Sequence, residues 1–388
     1  MRILMIHPHD IHSSSEPWTR RIKSIAGEIV RKGHEVKLVY FPLSSGVKKP
    51  VVSSLGYEEI PLPRKPSPAV FISNTIRLLK LAQWADVVHF QKCHHYSAVP
   101  SVAAAFLAGK PLHYDWDDWE EMIWYESCGR KIHSRFIGIS FRLLEKILPA
   151  VSDSVSVASR YLHTLAVSRG AREERIYFAP VGADVAEFNP SVDRTRVREQ
   201  YAITGPLVLY IGQLHGAQYI DLFIHAAHIL VPQYPDARFM IVGEGFMEGA
   251  LKSLSDELGL SGRVIFTGSV RHDLIPFYIR AADVCVAPFR DTPVTRCKSP
   301  LKIVEYMSCG KAVVASNVGE VPRMLGGAGI LVKAGDVRSL ADGIELLLKD
   351  PCLRKKLGEF ARRRAENRYN WAQTAQTLVS AYESIYKI

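Results

Sequence analysis

No uninterrupted apolar stretch in this chain approaches the span of a bilayer, which argues against a membrane-spanning helix. The opening run Ile3-Leu4-Met5-Ile6 turns polar at His7-Pro8-His9-Asp10, too soon for a secretory leader, so a soluble cytoplasmic protein is expected. Paired cysteines are lacking too. Cys93, Cys128, Cys285, Cys297, Cys309 and Cys352 are scattered without C-x-x-C spacing, which fits free thiols in a reducing compartment better than a disulfide framework or a zinc site. No segment is too polar to bury a core, since 47% hydrophobic and 23% charged residues are mixed along the whole length.

What is in excess is positive charge, a formal +10. It suits phosphates or anionic lipid, and peripheral contact with the inner face of a membrane is one use for Arg20-Arg21, Arg31-Lys32, Lys48-Lys49 and Arg64-Lys65. An uncommitted basic surface carries equal weight, because the Lys and Arg residues are spread over many segments. Nucleic acid is not expected as a partner.

At 388 residues two domains are the natural prior. Short β-rich runs alternate with amphipathic helical stretches, the pattern of a doubly wound α/β sheet. In the first series, strands are expected at 2–6, 36–41, 86–90, 111–114, 154–158 and 176–179. Ile22, Ile25, Ala26, Ile29 and Val30 share the face of a helix that Gly33 stops. Residues 181–206, punctuated by Gly182, Pro190, Gly205 and Pro206, read as a linker. A second series follows at 207–211, 239–242, 264–266, 284–287, 312–315 and 330–332. The expected domains are therefore 1–184 and 205–368, with a terminal helix over 371–388 packing back on the first.

Two strand-to-helix junctions of the second series carry glycine, Gly212-Gln213-Leu214 and Gly243-Glu244-Gly245. Glycine there permits close backbone approach to a phosphate or sugar, although a tight turn alone explains either one. A third junction, Lys298-Ser299-Pro300-Leu301-Lys302-Ile303-Val304-Glu305, is more specific. Pro300 suits a first helical turn, Ser299 can cap it, and the free amides then form an anion site. Ile303, Val304 and Met307 make the buried face, so Lys302 and Glu305 share another; a ribose-binding carboxylate competes there with a solvated i,i+3 ion pair.

The run 301–314, LKIVEYMSCGKAVV, followed by Ser316-Asn317-Val318-Gly319-Glu320-Val321-Pro322, resembles the nucleotide-binding signature of family 4 of the retaining glycosyltransferases. Gly33-His34-Glu35-Val36, Gly182-Ala183-Asp184 with Phe188 and Pro190, and Phe266-Thr267-Gly268 fall in the family's order, as do both glycine junctions. The resemblance implies a GT-B fold, two Rossmann-like domains facing across a cleft, and sugar transfer from a nucleotide-diphosphate sugar with retention of configuration. It implies no cofactor and no metal. Glu305 would bind the ribose, the backbone of Ser299, Pro300, Leu301 and Lys302 the diphosphate, Val270 would lie by the base, and Gly243, Glu244 and Gly245 near the nucleotide.

The chain departs from that pattern at four places. The two cations that the family aims at the diphosphate are Gln213 and Gln218, and the first acid of its Glu-x7-Glu motif is Cys297. Lys302, Lys298 and Arg296 are the replacement cations, with Lys302 first as leaving-group stabiliser. The histidine that the family places near the anomeric carbon falls at Asp117, which becomes a catalytic candidate. The glycine pair after the first strand is replaced by the loop 12–19, so His12, Ser15 and Glu16, with His94, Asp115 and Asp118, are candidates for acceptor or sugar contact.

Asp115-Trp116-Asp117 is a D-x-D, and His89, His94, His95 and His113 cluster at strand ends, but neither pattern completes a metal site. Acceptor contact or ordinary surface histidine reads better, and Trp116, Trp119, Trp124 and Tyr125 suit sugar stacking or a core equally. The acceptor is expected to be a glycan, a lipid-linked sugar or a small molecule. A GT-B sugar-nucleotide epimerase and a non-catalytic sugar-nucleotide-binding protein are the rival readings.

Overall fold

The computed structural model describes residues 1–13, 16, 19–44, 49–128 and 132–386. It divides into two compact units, Met1–Pro180 with Trp371–Ile388, and Val181–Asn370.

The first unit holds β1 (Arg2–Ile6), β2 (Glu35–Tyr40), β3 (Val51–Val52), β4 (Glu58–Pro61), β5 (Val87–Gln91), β6 (Leu112–Trp116), β7 (Ser154–Val157) and β8 (Ile176–Phe178). They lie in the order β3-β4-β2-β1-β5-β6-β7-β8, antiparallel only between β3 and β4. Strands β5, β6 and β7 are buried at every residue, as befits a parallel sheet covered on both faces. The edge strand β3 and its neighbour β4 were not expected, because two exposed valines and the run Glu58-Glu59-Ile60-Pro61 carry no apolar alternation.

The core of this sheet is partly polar. His113 on β6 is bonded to Ser154 Oγ at 2.7 Å and Ser156 Oγ at 2.9 Å, and its ring stacks on that of His89, its cross-strand partner, at 5.2 Å. The expectation that these two histidines bracket strand ends at the surface is overturned: both are fully buried, and burial pulls the His89 pKa down to about 4. The helix Trp371–Tyr386 belongs to this network through Tyr382, whose hydroxyl lies 2.8 Å from His89 Nδ1. Trp116 is core as well, stacked near Tyr114.

The second unit holds β9 (Leu207–Ile211), β10 (Arg238–Val242), β11 (Val264–Phe266), β12 (Val284–Ala287), β13 (Val313–Ser316) and β14 (Gly329–Val332), all parallel, in the order β11-β10-β9-β12-β13-β14. Strand order reverses at β9, and in doubly wound sheets the carboxyl ends of the strands at such a reversal are where a ligand-binding crevice opens. Residues 181–206 are not a linker. Phe188, Val197 and Ile203 enter the unit's core and Thr195–Gln200 is helical, because these apolar side chains have a sheet face to cover. Among the described residues no helix is long and apolar enough to cross a membrane.

Candidate active site

In the second unit two glycine loops meet at the reversal point. Gly212 follows β9 with φ +148° and Gly243 follows β10 with φ +139°. A Cβ on Gly243 would stand 2.0 Å from the Gly212 carbonyl oxygen, so this glycine is required by loop-on-loop packing. Leu214 N donates to Glu244 O at 2.9 Å and laces the loops further, while the Glu244 side chain is exposed. At Gly212 the space that a Cβ would need is taken by the Lys302 ammonium, 2.7 Å away.

Lys302 reaches that point from the helix Leu301–Ser308. Its Nζ donates to Tyr210 Oη at 2.8 Å and Gln218 Oε1 at 3.1 Å and lies 4.0 Å from the centre of the Tyr210 ring. Burial and then the charge of Lys298 pull its pKa well below the ordinary lysine value, with Glu305 offsetting them in part. Gln218, expected as a donor-binding residue where the family has a cation, is thus an acceptor that holds Lys302. The helix is fixed at its middle by Tyr306, whose hydroxyl accepts from Ile211 N at 2.8 Å. Sequence reasoning passed over Tyr306 and Tyr210, since both look like ordinary apolar positions.

Three expectations for this helix change. Pro300 occupies the N-cap rather than the first turn, and no side chain caps the helix. Ser299 instead accepts from Val181 N at 3.3 Å and donates toward Met324 Sδ at 4.0 Å. Lys302 and Glu305 form no ion pair; Glu305, with a side chain only 8% exposed, accepts from His272 Nε2 at 3.1 Å. Arg296 is bound to Asp291 at 2.6 and 3.0 Å, Cys297 is buried, and Val270 and Leu301 are half-buried against the core. Gln213 lies half-buried in the Gly212 loop.

In the first unit the corresponding strand ends are crowded with charge. Lys92, just past β5, adopts φ +64° and is 3% exposed, with Nζ 3.2 Å from Asp117 Oδ1, 3.9 Å from Asp118 Oδ2 and 2.5 Å from Glu120 Oε1. Burial lowers the Lys92 pKa, but the three carboxylates outweigh it and hold the ammonium charged. The carboxyl oxygens of Asp117, Asp118 and Glu120 come within 4.8 Å of one another, a spacing that suits a cation, and Lys92 already supplies one. Asp117 also accepts from Gln91 Nε2 at 2.9 Å.

Glu16 accepts from His9 Nδ1 at 2.9 Å, Asp10 N at 2.6 Å and Arg64 Nη1 at 2.9 Å, and His12 Nε2 lies 2.8 Å from Glu59. His94 packs edge-on against His9 and Phe141, with Nε2 4.0 Å from Glu120. Ser15 lies outside the described residues. Asp115 is a correction: it is fully buried, takes both Arg21 Nε at 2.9 Å and Nη2 at 2.8 Å, and accepts from Ser156 Oγ at 2.5 Å, so it has nothing to offer an acceptor. Arg21 was missed because it looks like one more basic residue on an amphipathic helix.

Residues 205–350 match the family Glycosyl transferases group 1, and residues 19–182 match the Glycosyl transferase 4-like domain. The alpha-D-kanosaminyltransferase of Streptomyces kanamyceticus is 30% identical over 195 residues, 50% of this chain and 49% of that protein, so the chain spans about half the length of such a relative. The phosphatidyl-myo-inositol mannosyltransferase of Mycolicibacterium smegmatis is 27% identical across 99% of this chain and 94% of that protein. Among solved structures, Anabaena HepE in complex with UDP and glucose superposes with a TM-score of 0.75 at 20% identity, covering 99% of this chain and 100% of that one. The fold is GT-B, and with both units matched the chain belongs to the group 1 glycosyltransferases of the family 4 type.

Proposed function

We propose that this protein transfers a sugar from a nucleotide-diphosphate sugar to an acceptor hydroxyl with retention of anomeric configuration. The bond between the anomeric carbon and the diphosphate oxygen breaks, the acceptor oxygen takes that carbon, and the hydroxyl proton leaves with the nucleoside diphosphate. The observation that carries the reading is the pairing, on one helix, of a nearly buried carboxylate, Glu305, with a desolvated lysine, Lys302, lodged over Gly212 at the strand-order reversal. A carboxylate so placed can accept from two ribose hydroxyls, and the lysine can meet diphosphate oxygens. In the first unit, Asp117 at the end of the Lys92 cluster is the residue assigned to the sugar. No cofactor enters this scheme.

Glu305→Ala should weaken nucleoside diphosphate binding by at least about 1 kcal/mol. Titration calorimetry reads this, and unchanged affinity would sink the ribose assignment. Product NMR on the native enzyme should show the donor's anomeric configuration kept, and a product isomerised without acceptor would point to an epimerase instead. Slow hydrolysis of donor would separate the enzyme from a binding protein.

A lipid-linked acceptor at an anionic membrane is the acceptor class favoured by the formal +10 charge and by the helix Ile132–Val151, which exposes Phe136, Leu143, Ile147 and Val151 along one stripe. Cosedimentation with anionic vesicles at low salt should exceed that with neutral ones, and equal recovery would remove the electrostatic part of this reading.

A further inference from the structure

Glu305 rests on a single protein donor. Its Oε1 accepts from His272 Nε2 at 3.1 Å, and among the described residues no second hydrogen-bond donor reaches the carboxylate. His272 opens the short turn His272–Leu274 that follows Val270, and its other ring nitrogen lies 3.6 Å from Glu187 Oε1. The ring packs at 5.2 Å against that of Phe188, itself buried in the core.

The segment carrying Glu187 is well fixed. Asp184 Oδ1 accepts from the backbone of Ala186 at 3.0 Å and Glu187 at 3.1 Å, and Arg362 donates to the carbonyls of Val185 at 3.0 Å and Phe188 at 2.7 Å. Three segments far apart in sequence therefore converge as carboxylate, imidazole, carboxylate. An imidazole packed on Phe188, with a carboxylate 3.6 Å from its other nitrogen, donates to Glu305 in a fixed plane, as the outer partners of ligating groups do elsewhere.

We propose that His272 is a positioning residue for the nucleotide: held between Glu187 and Phe188, it sets the plane of the Glu305 carboxylate so that both oxygens meet the vicinal hydroxyls of a ribose, selecting ribonucleotide over 2′-deoxyribonucleotide donors. This rests on Glu305 being the ribose ligand. A carboxylate free to rotate keeps one hydroxyl and loses the other, so the His272 contact is worth most when both hydroxyls are present.

The test measures binding of UDP, GDP and ADP and of their 2′-deoxy counterparts to native protein, His272→Ala, His272→Gln, Glu187→Gln and Glu305→Ala. The native protein should prefer the ribo form of whichever nucleotide it binds. His272→Ala should weaken the ribo form about tenfold, barely move the deoxy form, and so collapse the preference. His272→Gln, which keeps a donor N–H, should recover part of it, and Glu187→Gln should lose less than His272→Ala. If Glu305→Ala changes nothing, or none of the three diphosphates binds, the ribose reading itself fails. If Glu305→Ala weakens binding while both His272 variants keep the native ribo-to-deoxy ratio, His272 is only a packing residue and the proposal is overturned.

Discussion

The carboxyl ends of the two parallel sheets solve opposite problems. In the first unit the buried charges have opposites within reach: Arg21 with Asp115, Lys92 with Asp117 and Glu120, and Arg64 with Glu16. In the second unit the charges that matter are under-served: among the described residues Lys302 donates to only a phenol and an amide, and Glu305 accepts from a single imidazole. Paired buried ions hold an architecture, whereas a buried ion without a counter-ion costs stability and is poised for one that a ligand brings. By this measure the second unit's edge keeps a lysine and a carboxylate available to a ligand, as the proposed function requires, whereas the first unit's charges are spent on one another.

Arg21 is the most consequential of the first unit's paired charges. Arg21→Met would leave Asp115 buried, with Ser156 as its remaining short contact, and should cost about 3–5 kcal/mol of stability. Arg21 matters as a site residue instead if hydrogen exchange over β5–β7 is unchanged while turnover collapses. Lys302→Ala should behave in the reverse way. Removing a desolvated cation should leave the melting temperature level or higher, while turnover falls on the order of a hundredfold at saturating donor. Near-native turnover would shift the leaving-group role to Lys298, because Arg296 is already committed to Asp291.

The same contrast explains what could be read in the sequence. The second unit's edge is encoded locally: strand, glycine, and a helix whose Pro300, Lys302 and Glu305 lie within six residues, so residue types and spacing point to one place. The first unit's edge is encoded by contacts across long separations, Arg21 with Asp115 and Lys92 with Glu120, and by a lysine in a left-handed conformation that no propensity predicts. Asp115 was accordingly mistaken for a ligand contact, because a buried aspartate and an exposed one look alike until the partner is known. Most strand positions were legible from apolar runs, whereas β3, β4 and the burial of residues 181–206 depend on tertiary cover.

Glu145 is the exception on the crowded side, and it sharpens the comparison by the smallest effect. Its carboxyl lies within the first unit, accepting from Glu120 N at 2.8 Å, Trp116 Nε1 at 3.3 Å and Glu121 N at 3.4 Å, and so steadies the start of the helix that carries Glu120. Burial, with the charge of Glu120 added, pushes its pKa up from 4.5 to about 8. The unfolded chain releases this proton near pH 4.5 while the folded unit keeps it, so the stabilising contribution is complete below that pH and is lost as pH rises toward 8. Glutamine retains the oxygen that takes the two shorter hydrogen bonds, gives up only the long one from Glu121 N, and has no proton to lose. Glu145→Gln should therefore match the native protein near pH 4 and exceed it by roughly 2 kcal/mol at pH 8, a discounted share of the 1.4 kcal/mol per pKa unit that full burial would give. Hydrogen exchange over β5–β7 at the two pH values reads the first unit separately from the second. Equal protection of the two proteins at pH 8 would mean that Glu145 is ionised in the fold and that this side of the molecule holds one more paired charge than described.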